Sequence, residues 1–92
     1  MVLLISYDLN DHERPTAYTA VREMIEQHST SRARPLYSQW FVETTDTVTT
    51  WQERMKTVTD DNDNWFICEV HRPYMGRGDK KVWDWLDARA QR

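Results

Sequence analysis

One cysteine, two glycines and three prolines are all that these 92 residues contain of the types that most often staple or sharply bend a small chain. With Cys68 alone there is no internal disulfide and no cysteine-based zinc site, and a reducing, cytoplasmic setting is expected. Gly76 and Gly78 lie in one short stretch, so a Gly-rich phosphate loop is excluded. A nucleophile elbow and a paired-histidine zinc pattern are missing too. The opening apolar run is far too short to span a bilayer, and it lacks a basic flank and a small-residue cleavage pattern. A soluble chain with no membrane partner is expected. Basic charge is not in excess: 12 Lys and Arg against 15 Asp and Glu give a net charge of −3. That argues against a protein that binds phosphates over its whole surface, which needs a positive field, but leaves room for a local basic stripe.

Tryptophan, in contrast, is abundant. Trp40, Trp51, Trp65, Trp83 and Trp85 are too large to be all fully buried in so small a body. Some are expected at an interface, with another subunit or with a ligand. The length corresponds to one domain, residues 1–92, near the lower limit for folding on a single core. Pairing with a second copy is a natural way to cover the remaining apolar surface.

Val2-Leu3-Leu4-Ile5 followed by alternation to Asp8 predicts a strand over 2–8. A polar turn, Asn10 to Arg14, leads to Pro15 at the first turn of a helix over about 15–28, with Tyr18, Val21, Ile25 and His28 on its stripe. Residues 33–44 read as extended: either one long bent strand, or two strands near 34–37 and 39–44, with Pro35 favouring an edge. A second helix over about 47–59 is capped by Asp46 or Thr47 and carries Val48, Trp51, Met55 and Val58. The loop Asp60 to Asn64 precedes a strand, Trp65 to His71. A last helix over about 79–89 carries Val82, Trp85, Leu86 and Arg89 on one side. Two strand–helix halves with matching stripes predict an α+β fold, a ferredoxin-like split β-α-β antiparallel sheet with helices on one face and an extra C-terminal helix. The other sheet face is expected to stay open and, being rich in aromatics, to find a partner.

Asp8 is the leading candidate for chemistry. A carboxylate at a strand end binds Mg²⁺ through oxygen, alongside water and one or two carboxylates, and such an ion polarises a phosphoryl oxygen or activates water. The alternative is an Asx-type turn that ends the strand. In a dimer, two copies of Asp8 would face each other and share one metal. The acidic loop lacks the central glycine and distal glutamate of a helix–loop–helix calcium site and reads as a solvated turn. His12 and His71 have either a proton-transfer or an ordinary surface role, and His28 a structural one. Arg72, Tyr74, Arg77, Lys80 and Lys81, extended by Arg32 and Arg34, form either a phosphate- and base-contacting stripe or a wet helix face. Cys68 reads as a small core hydrophobe.

Leu4-Ile5-Ser6-Tyr7-Asp8-Leu9 before a helix, Ser38-Gln39-Trp40-Phe41-Val42-Glu43-Thr44, and Asp60-Asp61 leading into Phe66-Ile67-Cys68-Glu69-Val70 together resemble the SinR-like small proteins. These are relatives of the small CRISPR-associated endonuclease of spacer acquisition and of virulence-associated protein D. The resemblance implies a homodimer of ferredoxin-like subunits with a defence- or toxin-related role. In it Asp8 would hold Mg²⁺ for cleavage of RNA or DNA phosphodiesters, with Ser38 near the same cleft; Arg34, Arg72, Arg77 and Lys80, taken from the basic cluster, are then expected as nucleic-acid contacts. It equally implies a catalytically inactive dimeric scaffold or protein-binding module, because members of the family differ in whether they cut. The net acidic charge and the Trp-rich segment Val82 to Leu86 depart from the pattern, the first bearing on duplex-DNA binding and the second on how copies pair.

Overall fold

The first strand, β1 (Val2–Asp8), is apolar on both sides at its start, and the rest of the fold covers each side in turn. The structure is a computed structural model that describes residues 1–9 and 16–90. Pro15 and His12 lie outside the described residues. Along the chain follow α1 (Thr16–His28), β2 (Ser31–Leu36), β3 (Gln39–Glu43), α2 (Val48–Val58), β4 (Asn64–Glu69) and α3 (Lys80–Arg89). The described residues thus form a small α+β domain with a four-stranded antiparallel sheet, ordered β2-β3-β1-β4, and three helices. No helix among them is long and apolar enough to cross a membrane.

Alternation along β1 separates two cores. Leu3, Ile5 and Tyr7 point to one face, where they meet Trp40 and Val42 of β3, Ala17, Val21, Met24 and Ile25 of α1, and Trp51 and Met55 of α2. Val21, Ile25, Trp51 and Met55 are on the stripes expected from sequence, Ala17 and Met24 add to the first stripe while His28 is exposed, and Trp51 and Met55 are wholly buried. Thr47, rather than Asp46, caps α2: its hydroxyl accepts from the Thr50 N–H at 3.2 Å. Asp46 instead pairs with Arg54 at 2.8 Å.

The extended stretch resolves into two strands. The side chain of Arg34 closes their turn by donating through Nε and Nη2 to the Tyr37 carbonyl, at 2.9 and 2.6 Å. Pro35 lies in the edge strand β2, at a register shift between Ala33 and Leu36, where its missing N–H leaves no ladder bond unmade.

The second face corrects an expectation. It is left open only in part: α3 lies on it, with Trp83, Trp85 and Leu86 packed over Val2, Leu4, Phe41 and Val70. The even-numbered residues at the start of β1 are as apolar as the odd ones, so that half of the face needs a cover of its own. The Trp85 indole N–H donates to the Ser31 hydroxyl at 2.8 Å and Arg89 pairs with Glu43 at 3.3 Å, pinning α3 across β2 and β3. Gly76 lets the connecting strap pass close under Trp83, because a Cβ there would stand 2.4 Å from the indole ring. None of the five tryptophans is exposed. The large apolar side chains left exposed are Met1, Leu36, Tyr37, Phe66 and Met75.

Candidate functional site

Alternation puts Asp8 on the same face as Val2, Leu4 and Ser6, but at the end that α3 does not reach. β1 lies between β3 and β4, so Asp8 ends a central strand, opposite Asn64 of β4. It is exposed, and its carboxylate has no hydrogen-bond or ion-pair partner among the described residues. Ser6, Asp8, Asn64 and Phe66 line a shallow groove of about 240 Å³ there. Ser38 comes to the same end of the sheet: its carbonyl accepts from the Tyr7 N–H at 3.0 Å. The structure therefore places the two residues predicted as catalytic at one end of the sheet.

Beneath them the sheet is rigidly built. The Trp40 indole N–H donates to the Tyr7 hydroxyl at 2.9 Å in a buried bond. Burial pushes the Tyr7 phenol above its ordinary pKa, while the Trp40 bond and the Arg34 charge pull the other way. Tyr7, Tyr18 and Tyr37 form a ladder with ring centres 5.8 and 5.5 Å apart. The Arg34 guanidinium lies 4.7 Å from the centres of both Tyr37 and Trp40. A tyrosine and a tryptophan fixed this firmly hold the backbone of residue 7, and with it the position of residue 8.

The predicted cations do not form one stripe. Arg34 lies on the α1–α2 face, held by the turn carbonyl and two rings. Arg72 stacks on Tyr74 and donates to the Asp87 carbonyl at 2.7 Å, tying the strap to the end of α3. Lys80 pairs with Asp84 at 2.7 Å on exposed helix surface, and that bond raises its pKa. Arg77 is exposed and without a partner among the described residues. It lines a groove of about 470 Å³ on the second face with Leu36, Gln39, Cys68, Tyr74 and Met75.

Cys68 is half-buried in that groove, where desolvation raises its pKa and keeps it a thiol. His71 pairs with Glu69 at 2.8 Å. Because β4 runs from Asn64 beside Asp8 to Glu69 beside Leu3, His71 stands at the opposite end of the sheet from Asp8. The acidic loop turns its carboxylates on its own backbone, Asp63 accepting from the Asp60 N–H and Asp60 from the Asn62 N–H.

No group of three or more His, Cys, Asp or Glu side chains that could hold a metal occurs among the described residues. Asp8 fits one ligand position of a hard cation, with Asn64 a neutral oxygen donor across the strand pair. The acidic loop, which ends at Asn64 opposite Asp8, comes to the same end of the sheet. Sequence reasoning missed Phe66 and Gln39, which share the Asp8 face. The signal was present, since residues 6, 39 and 66 are brought to one face by strand alternation once the register is fixed. Comparison with known protein families finds no family model that matches this chain, and comparison with curated proteins finds no match.

Proposed function

We propose that the domain is a ferredoxin-like homodimer in which two Asp8 carboxylates, one from each copy, hold Mg²⁺ and support cleavage of an RNA or DNA phosphodiester. The observation that carries this reading is the state of Asp8: exposed, at the end of a central strand, and with no partner among the described residues. A carboxylate left unsatisfied by its own protein is available to a hard cation. The strand order supports the split β-α-β assignment, because β3 is inserted between β1 and β2, and β1 between β3 and β4. With α3 over the Val2 and Leu4 half of the second face, two sheets do not stack over their whole area, so the copies meet at the Asp8 end.

Mg²⁺ held there would supply polarisation of a phosphoryl oxygen and a more acidic bound water. The chain's own residues bind and orient. Asp8 would hold the ion, Ser38 lies in the turn at the same end of the sheet, and Arg77 offers a guanidinium to a neighbouring phosphate. Arg34, Arg72 and Lys80 engage phosphates only by giving up or sharing the partners they have.

A second reading, a non-cutting dimeric scaffold or protein-binding module, is favoured by the exposed Leu36, Phe66 and Met75. Labelled single-stranded RNA and DNA, incubated with the protein after gel filtration and cation exchange, separate the two. Cleavage that EDTA abolishes and Mg²⁺ restores is the expected result. Intact substrate under every divalent metal tried, with a monodisperse dimer, would establish the scaffold reading instead.

A further inference from the structure

We infer that the part of the sheet not covered by α3 takes an unpaired nucleobase of a single strand, stacked on Phe66 and hydrogen-bonded by Gln39 and Ser6. This inference rests on Asp8 being the phosphodiester site and names the substrate feature which that site selects. The register puts Leu36 opposite Gln39, Gln39 opposite Ser6, and Ser6 opposite Phe66, so one row of side chains crosses all four strands on one face. Leu36 and Phe66, at its two ends, are 57% and 60% exposed. Between them the Gln39 amide donates to the Ser6 hydroxyl at 3.3 Å, which leaves the amide oxygen, a second amide N–H and the hydroxyl proton without a side-chain partner among the described residues.

An exposed aromatic ring beside an amide and a hydroxyl is the combination that holds a base, the ring by stacking and the polar groups by its edge. Asp8 follows Ser6 by two residues on the same face, one side-chain step along the strand. A base on Phe66 therefore sits next to the carboxylate proposed to hold the metal. On the other side, the row joins the groove lined by Gln39, Leu36 and Arg77, where a guanidinium is available for a phosphate. Stacking supplies affinity without a broad positive field, which suits a net charge of −3. A base within a duplex is already stacked and paired, so the site selects single strands.

The test is fluorescence anisotropy in EDTA, which removes cleavage from the measurement. A fluorescein-labelled oligothymidylate is compared with an abasic oligomer of equal length. Wild-type protein is expected to bind the base-bearing strand about ten-fold or more tightly. Phe66→Ser is expected to bring that strand down to the abasic level, and Phe66→Tyr to retain the preference. Equal binding of the two strands by wild type, or a preference that survives Phe66→Ser, overturns the inference. So does conversion of a dimer to a monomer by Phe66→Ser in sedimentation, which would assign the row to a second copy. Asp8→Ala serves as the separating control. Lost cleavage with no base preference in wild type sinks this inference alone. Unchanged cleavage with an intact preference sinks the Asp8 reading alone.

Discussion

Asp8→Ala is expected to lower the proposed metal-dependent cleavage by about 10²- to 10³-fold while leaving the fold intact. A metal acting as Lewis acid on a phosphoryl group contributes several kcal/mol to the barrier, and each 1.36 kcal/mol is a factor of ten. Removing the carboxylate removes the charged ligand that the proposed site places on the metal. The structural cost is small, because the side chain is exposed and makes no hydrogen bond or ion pair among the described residues. A surface change of this kind stays within about 0.5 kcal/mol. Asp8→Asn keeps the size and an oxygen donor but loses the charge, and its activity should fall between wild type and alanine. Thermal melts and initial rates on the same preparations check both halves. A rate loss that tracks a lowered Tm would mean that Asp8 is structural.

Trp51→Ala is expected to have the largest effect on stability, about 3–5 kcal/mol. Trp51 is 0% exposed and joins α2 to the core. Its indole N–H donates to the Thr44 hydroxyl at 3.1 Å, the His28 ring meets it edge-on at 6.5 Å, and the Arg54 guanidinium lies over it at 4.7 Å. Truncation opens a cavity with Met55, Ile25 and Val42 around the core and strips Arg54 of the ring it rests on. A domain this small has total stability at the lower end of the usual 5–15 kcal/mol, so the variant should be largely unfolded near body temperature. At about 4–8 °C per kcal/mol for domains of this size, the melting midpoint should fall by at least about 12 °C. Urea or thermal denaturation followed by circular dichroism checks this. A fall of only a few degrees would show that α2 is not an integral part of the core.

How far the sequence could be read follows from what each pattern encodes. The stripes Val21, Ile25 and Trp51, Met55 place two helices on one sheet face, because three- and four-residue spacing fixes which side of a helix is apolar. It does not fix which sheet face a third helix covers. The clue to α3 was in β1, where four consecutive apolar residues mean burial on both faces rather than one. The choice between one strand and two over residues 33–44 depended on the Arg34 side chain reaching the Tyr37 carbonyl, a local clasp that no periodicity announces. Asp8 was legible as a carboxylate at a strand end. Its lack of a partner among the described residues was not, because that depends on what the rest of the fold brings near it. The same holds for the basic cluster: Arg34, Arg72 and Lys80 look alike as charges, yet each already has a partner, and Arg77 has none among the described residues.

The proposed shared metal is tested most directly by diffraction from crystals grown or soaked with Mn²⁺, using anomalous scattering to locate the ion. A peak between the Asp8 carboxylates of two copies, lost in Asp8→Ala crystals, is the predicted result. Two Asp8 side chains held far apart, with no peak at either, would contradict it.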